Sequence, residues 1–427
     1  MVTSWPEAFP GPAPPKRGSR RHHPGVAVFQ NDPDLLRLLR PPRLRTLGDD
    51  GHRHASYLEL FFDLVFVVAI AQLTHELVLD HSLHGFAVFG ALYLPVFIAW
   101  QGYTIYADRF DTDDVVFRVV VLLGMLAILA LAVQIPDVAH GDSAGFAVAY
   151  VLVRSLMIGL YLRAYHHVPD ARPLIVRYAG GYSLGVGLWV VSLAVDAPER
   201  YVLWGIALAW EYSLPWLARR LHASIPVHAS HVPERFALFT IIVLGESVLA
   251  VALGVAGRDW APSAAVIAAL GFFVAAAMWW MYFGHSMEFV LHRSARSILV
   301  FSYVHIPLLA ALTAIGAGIT LAIEQSSENG LDTGTRWALA GGAAVYLVCL
   351  TVAQRTMVLG FLPRTAQSRL VAVGALVAFA IVGGEIEPFA FVSFVTVVLV
   401  GLVVFKLWTA HREAIGDHAR AAPAVEA

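Results

Sequence analysis

Apolar runs of 17 to 26 residues alternate with short polar connections along most of the chain. A run of about 20 apolar residues is long enough to cross the hydrocarbon core of a bilayer as a helix. The sixth and eleventh runs are the shortest, and the loss of either would leave an odd number of spans. The pattern predicts about twelve membrane-spanning helices, at residues 57–78, 86–107, 115–135, 144–165, 174–195, 201–217, 235–255, 262–283, 297–322, 336–356, 367–383 and 388–408.

Composition supports an all-α integral membrane protein. Of the 427 residues, 58% are hydrophobic and only 14% are charged, which is too apolar for a water-soluble chain of this length. The single cysteine, Cys349, lies within an apolar run and excludes both an internal disulfide and a cysteine-based metal site. The expected partners are the lipid bilayer and an unknown small solute or ion, with no nucleic acid and no expected cofactor. The oligomeric state is not readable.

Positive charge decides the predicted orientation, because Lys and Arg concentrate in the cytoplasmic connections of membrane proteins. With the amino terminus inside, 25 of the 29 Lys and Arg residues fall on the cytoplasmic side. Arg154 falls within a span, and the outer connections hold only Arg200, Arg258 and Arg336. This alternation supports an even number of spans and predicts that both termini are cytoplasmic.

Two segments begin alike and suggest an internal duplication. His54-Ala55-Ser56 followed by Glu59 introduces the first span, and His228-Ala229-Ser230 followed by Glu234 introduces the seventh. Six spans separate the copies, so both halves would insert with the same orientation, as two parallel six-helix repeats. Chance recurrence of interfacial aromatics and helix-start residues is the alternative. The predicted domains are a disordered basic cytoplasmic tail, a first repeat, a second repeat and a short polar tail, at 1–50, 51–218, 219–410 and 411–427.

Charged residues within spans are candidates for function, because an ionised group in hydrocarbon costs several kcal/mol unless it is paired or hydrated. Glu59 and Asp63 lie four residues apart, which places both carboxylates on one face of the first helix. Protonation or a bound cation would balance their charge, which favours proton or cation coupling. Alternatively, Glu59 caps the helix amino terminus.

Three further charges lie near the middle of predicted spans. Glu246 falls in the seventh span, Arg154 in the fourth and Glu211 in the sixth. An arginine at that depth needs an acidic partner, and Glu246, Glu211 or Asp63 could supply it. The alternative is a fixed ion pair that specifies helix packing.

Histidines offer weaker candidates. His285, Glu288 and His292 share one helix face if the eighth helix continues beyond the bilayer, but their spacing matches no specific metal motif, and no metal is expected. His305 in the ninth span could relay protons, although a core histidine bonded to a neighbour is more common. No nucleotide-binding loop or common hydrolase motif is present.

The segment from His54 through Glu59, Phe62 and Asp63 to Ile70 resembles the opening signature of the bacterial low temperature requirement A family, and so does the segment from Glu234 to Ser247. The resemblance covers about residues 54–408 and implies a multi-pass protein of the bacterial cytoplasmic membrane linked to growth in the cold. It also marks family-motif positions, at Glu59, Phe62, Asp63, Glu234, Gly245 and Glu246.

Three classes of function remain open from the sequence. Duplicated helical halves, midplane charges and no nucleotide site favour a secondary transporter or ion-translocating protein rather than an enzyme. Its expected coupling or substrate residues are Glu59, Asp63, Arg154, Glu211, Glu246 and His305. The alternatives are a membrane-embedded enzyme acting on a lipid or isoprenoid, and a sensor or scaffold whose buried charges only specify packing.

Overall fold

The computed structural model describes residues 41–44, 55–111, 113–222, 225, 231–257, 260–284, 294–357 and 363–421. Within these residues the architecture is helical, apart from one antiparallel pairing of two-residue strands, β1 (Arg43–Leu44) and β2 (Phe110–Asp111). The long helices are α1 Tyr57–Leu79, α2 Leu83–Arg109, α3 Val115–Val133, α4 Ala144–His167, α5 Arg172–Ser192, α6 Glu199–Leu217, α7 His231–Ala256, α8 Pro262–Phe283, α9 Ala295–Glu324, α10 Thr333–Gln354, α11 Pro363–Val382 and α12 Pro388–Ala421.

Short elements complete the connections. α10 contains a π-helical turn at Trp337–Gly341 between its α-helical parts. Single helical turns occur at Ile135–Ala139, Pro169–Ala171, Arg219–His222 and Gly383–Glu385.

Eleven of the described helices are long and apolar enough to cross a membrane. The exception is α6, whose 19 residues include Glu199, Arg200 and Glu211. The prediction of a multi-pass helical membrane protein therefore agrees with the structure, and eleven of the twelve predicted spans have a qualifying helix. The membrane crossing of α6 and the orientation of the termini stay predictions.

Polar caps fix where several helices begin. Ser56, Ser82, Asp114 and Ser294 each accept a hydrogen bond from the backbone N–H three residues later. Each cap satisfies one of the donors that a helix amino terminus leaves unpaired. At α1 the Glu59 carboxylate also accepts from the Ser56 N–H, which completes a capping box. Glu59 is therefore a helix cap, as one of its two interpretations predicted.

α9 lies at the centre of the bundle. In its most apolar stretch 83% of the residues are buried, against 33% for α11 at the periphery. α9 packs against α7, α8 and α10, and also against α1 and α2 of the first half. The contact between the two halves therefore runs through α1, α2, α7 and α9.

The order of neighbours is similar in the two halves. α1 packs on α2 and α3, α3 on α4, and α4 on α5, while α7 packs on α8 and α9, α9 on α10, and α10 on α11. The last helices differ, because α6 packs mainly on α5 whereas α12 packs mainly on α8. The similarity favours the predicted duplication, which stays a prediction.

α5 and α6 approach closely because glycine leaves room for side chains of α6. A Cβ atom at Gly181 would lie 2.5 Å from Leu214, and one at Gly185 would lie 2.4 Å from the Glu211 carboxylate. Trp210 Nε1 donates to the Gly181 carbonyl at 2.9 Å. Small residues four apart are a common way to bring membrane helices together.

We expect α6 to cross the membrane, so that residues 196 and 328 face the same side. In a Cys349→Ser background, Asp196→Cys and Glu328→Cys place single thiols at two exposed positions between helices. An impermeant maleimide added to intact cells should label both. Labelling of only one would show that α6 does not cross, because α7, α8 and α9 alone would put the two positions on opposite sides.

We expect Gly181→Leu to lower the stability of the protein, because the new side chain overlaps Leu214 and overpacking costs about 1–3 kcal/mol. Gly180→Leu is the matched control, since a Cβ there meets no atom within 4 Å. Thermal unfolding in detergent measures both variants. Equal midpoints for the two would contradict the close packing of α5 on α6.

Candidate functional site

Three helix ends meet at one side of the bundle. The amino-terminal turns of α1 and α7 and the carboxyl-terminal half of α2 together bring six polar residues into contact. We call this group the α1–α7 cluster: Glu59, Asp63, Trp100, Asp108, His231 and Arg235. All except the indole are ionisable, and each polar side chain in the cluster is less than a tenth exposed.

Asp63 is fully buried. Arg235 Nη2 donates to Asp63 Oδ1 at 2.6 Å, and Trp100 Nε1 donates to the same oxygen at 2.7 Å. The other oxygen, Oδ2, has no hydrogen-bond partner among the described residues. One carboxylate oxygen therefore holds the ion pair, and the other is an open acceptor in the protein interior.

His231 connects the remaining carboxylates of the α1–α7 cluster. Its Nδ1 donates to Asp108 Oδ1 at 2.9 Å, and its Nε2 lies 3.8 Å from Glu59 Oε1. Arg235 Nη1 lies 3.8 Å from Glu59 Oε2. A proton on His231 Nε2 would therefore face Glu59, one helical turn before Asp63. The arrangement joins Glu59 to Asp63 through positively charged or protonatable groups of α7.

Aromatic rings enclose the inner end of the cluster. The Trp100 indole stacks on Phe239 with a centroid distance of 4.3 Å and meets the Phe236 ring edge-on at 4.8 Å. Phe62 packs between Phe66 and Tyr103 at centroid distances of 4.9 and 5.1 Å. The rings remove water from around Asp63, which strengthens its attraction to Arg235 and makes an unpaired charge costly there.

A second buried ion pair joins α4 to α6. Arg154 Nη2 lies 2.5 Å from Glu211 Oε2, and the Tyr150 hydroxyl donates to the same oxygen at 2.9 Å. The Arg154 guanidinium also stands 4.1 Å from the centre of the Tyr182 ring. Both side chains of the ion pair are fully buried. Among the three acidic partners considered for Arg154 from the sequence, the structure places Glu211 in contact.

The Arg154–Glu211 pair also has polar atoms without partners among the described residues. Arg154 Nε and Nη1 and Glu211 Oε1 form no hydrogen bond there. Gly102 of α2 leaves space beside the arginine, because a Cβ at Gly102 would lie 3.1 Å from Nη1. These atoms are hydrogen-bond donors and an acceptor that a further polar group can use.

α2 lies between the two ion pairs. Trp100 contacts Asp63, while Gly102 faces Arg154, and the Tyr103 hydroxyl donates to the Val153 carbonyl of α4. Residues 100–103 therefore touch both buried charges from one short stretch of helix. A displacement of α2 along its axis would disturb both sites together.

Glu246 lies apart from both ion pairs. It is half-buried on α7, and the structure records no hydrogen bond or ion pair for it among the described residues. The preceding family-motif residue, Gly245, is exposed, and a Cβ there would meet no atom within 4 Å. A close approach of another helix therefore does not account for the presence of glycine at position 245. Glu234 accepts a hydrogen bond from the Ala55 N–H at 3.3 Å and helps to join α7 to the start of α1.

His305 is fully buried, and both of its ring nitrogens are hydrogen-bonded. Nδ1 donates to the Phe301 carbonyl at 2.7 Å, so Nε2 accepts from the Tyr282 hydroxyl at 2.9 Å. This arrangement matches the interpretation of a bonded core histidine.

The weak metal candidates His285, Glu288 and His292 lie outside the described residues. Within the described part of the chain no three His, Cys, Asp or Glu side chains are grouped to hold a metal.

Four members of the α1–α7 cluster, namely Trp100, Asp108, His231 and Arg235, were absent from the coupling residues expected from the sequence. Arg235 is one of the 25 basic residues that the sequence analysis places on the cytoplasmic side. In the structure it is only 1% exposed and lies in the first turns of α7. His231 and Asp108 lie at helix ends, where charged residues are ordinarily solvated. The sequence signal that could have found them is their position, because each is an ionisable residue near the end of a predicted span.

The long apolar helices and the two buried ion pairs define a multi-pass α-helical membrane protein with charged groups in its interior. The family model described as bacterial low temperature requirement A protein matches residues 54–405, and the chain belongs to this family. An uncharacterized protein of Rhizobium meliloti (strain 1021) is 27% identical over 292 residues, which cover 63% of this chain and 70% of the relative. The resemblance noted in the sequence is thereby confirmed.

We expect Arg235→Gln to destabilise the protein strongly, because it leaves Asp63 buried without its cation, and such changes cost about 3–5 kcal/mol. Adding Asp63→Asn should recover a large part of the loss. The matched control is Arg118→Gln, which breaks an exposed ion pair with Asp113 and should cost about 0–1 kcal/mol. Thermal unfolding in detergent compares all variants. A double variant no more stable than the sum of its single changes would contradict direct coupling of the two charges.

Proposed function

We propose that this protein is a secondary transporter or ion-translocating protein of the bacterial cytoplasmic membrane, coupled to protons or cations through carboxylates within its spans. Asp63 and Glu246 are the coupling carboxylates, Arg154 is the anion-binding or charge-compensating group, and Glu211 is its supporting partner. Glu59 and His231 connect Asp63 to one side of the membrane. The substrate remains a small solute or ion.

The observation that carries the proposal is the geometry of Asp63. Arg235 and Trp100 both donate to Oδ1, while Oδ2 has no partner among the described residues. A proton or a cation can therefore join Oδ2 without displacing either donor. Its arrival would neutralise the carboxylate and weaken the attraction between α1 and α7, so that binding changes the contact between the halves.

Glu59 and His231 are the ionisable groups that lie nearest the helix ends beside Asp63 and Arg235. Glu59 is 6% exposed and lies one turn before Asp63 on the same face of α1. His231 stands between Glu59 and Asp108, and an imidazole can both accept and donate a proton. Arg235 lies 3.8 Å from Glu59 and 2.6 Å from Asp63, so the charge of Glu59 is coupled to that of Asp63 through the guanidinium.

Glu246 extends this arrangement toward the other side of the membrane. It follows Arg235 by 11 residues on α7, which is about three turns and about 16 Å along the helix. Three turns return to nearly the same face, so Glu246 and Arg235 lie in one line along α7. An ionised carboxylate at this depth is costly without a partner, which makes Glu246 suited to carry a proton or to pair with a passing cation.

The buried pair of Arg154 and Glu211 supports a role in binding substrate. Two guanidinium nitrogens of Arg154, Nε and Nη1, and one carboxylate oxygen of Glu211 have no hydrogen-bond partner among the described residues. An anionic group could bind the free edge of the guanidinium while Glu211 compensates its charge. Residues 100–103 of α2 contact both ion pairs. A ligand that displaces α2 at one ion pair therefore also changes the contacts of the other.

The test is flux across liposomes that contain the purified protein, with imposed gradients of protons and of monovalent cations. Asp63→Asn keeps an oxygen that accepts from Trp100 and Arg235 but cannot exchange a proton, and it should reduce flux to that of protein-free liposomes. Glu246→Gln should also reduce the flux. Asp113→Asn changes a carboxylate that is 70% exposed and should leave flux unchanged.

Flux that persists in both Asp63→Asn and Glu246→Gln would exclude these carboxylates as coupling groups. No flux by the unaltered protein under any gradient, with its fold verified by size-exclusion chromatography and helical circular dichroism, would overturn the transport proposal. A membrane-embedded enzyme or a scaffold would then be the hypotheses to test.

A further inference from the structure

A groove of about 720 Å³ opens on the outer surface of the bundle between α8 and α12, far along the chain from both ion pairs. Its lining is apolar, because the Thr396 hydroxyl is turned to the backbone carbonyls of Leu270 and Val392. The lining residues are Phe273 of α8 and, from α12, Thr396, Val397, Val400, Gly401, Val404, Phe405 and Trp408.

Gly401 helps to keep the groove open. It is exposed, and a Cβ at this position would meet no atom within 4 Å. The helices are fixed together on both sides of it, since Thr396 donates to the Leu270 carbonyl at 3.4 Å and Lys406 Nζ donates to the Gly284 carbonyl at 2.9 Å. The groove thus runs along a region in which α12 is joined at two points to α8 and the residue that follows it.

The length of the groove matches one leaflet of a bilayer. From Thr396 to Trp408 the helix rises by about 18 Å, close to half of the roughly 30 Å hydrocarbon thickness. The recess runs parallel to α12 and ends near its carboxyl-terminal part. Its shape and polarity therefore fit a hydrocarbon chain that enters from the leaflet on that side.

A cationic group stands beyond this end of the groove. Arg412 is exposed, and its guanidinium lies 4.0 Å from the centre of the Trp408 ring, which forms the last part of the lining. Tryptophan is common at the level of lipid headgroups, and arginine binds phosphate through paired hydrogen bonds. Contact with the ring holds the guanidinium where the headgroup of a lipid in the groove would lie.

We propose that this groove binds an anionic phospholipid, with an acyl chain along Gly401 and the phosphate at Arg412. The apolar recess accounts for the chain, and the charge of Arg412 beside Trp408 accounts for the preference for an anionic headgroup. The site is separate from the Asp63 and Arg154 ion pairs, so it holds whether or not the protein transports an ion.

Native mass spectrometry of the full chain, released from micelles containing equal amounts of phosphatidylglycerol and phosphatidylcholine, tests the site. The unaltered protein should retain one phosphatidylglycerol in preference to phosphatidylcholine. Gly401→Leu fills the groove and should abolish this retention, while Arg412→Gln should remove the preference between the two lipids. The controls are Gly374→Leu, at a second glycine with open space around its Cβ position, and Arg296→Gln, at a second exposed arginine.

Equal retention of the two lipids by the unaltered protein would overturn the proposed preference. Retention unchanged in Gly401→Leu would overturn the groove as the site, and equal losses in the variants and their controls would show nonspecific lipid binding. All four substitutions lie at exposed positions, and unchanged thermal unfolding midpoints would show that the fold is kept. None of these outcomes depends on a flux measurement.

Discussion

The contact between the halves of this protein is centred on one buried ion pair, formed by Asp63 on α1 and Arg235 on α7. Each charge alone would be unstable among the surrounding aromatic rings, so the two helices must stay together for either to be buried. The pair also fixes Trp100 of α2 through the shared oxygen. Asp63 thereby joins α1 to both α2 and α7, and any change in its protonation alters both contacts.

Most of the helical architecture follows from the sequence, because each span must bury its own backbone hydrogen bonds and present apolar side chains to lipid. The apolar runs therefore mark the helices, and caps such as Ser56 and Asp114 set where they begin. α7 begins four residues before its apolar run, at His231, and the first turns carry Arg235 into the interior. Hydropathy could not show this, since the burial of these residues comes from partners on other helices.

The candidate site was only partly predictable, because contacts between helices decide which charged residues are buried together. Depth in a span singled out Asp63, Arg154 and Glu211, and it correctly required a partner for the arginine. The choice of Glu211 over Glu246 depends on α4 and α6 lying near one another, which no spacing along the chain reveals. Arg235 and Asp108 looked like ordinary charges at membrane boundaries, and only the meeting of three helix ends makes them part of one cluster.

The opposite signs of Asp63 and Arg235 bear on how such a molecule can be assembled. If two copies of the first half met through the same faces, carboxylate would oppose carboxylate, and two copies of the second half would set arginine against arginine. Neither half can therefore satisfy this interface with a copy of itself. Linking both halves in one polypeptide guarantees one Asp63 for every Arg235 and excludes the two mismatched assemblies.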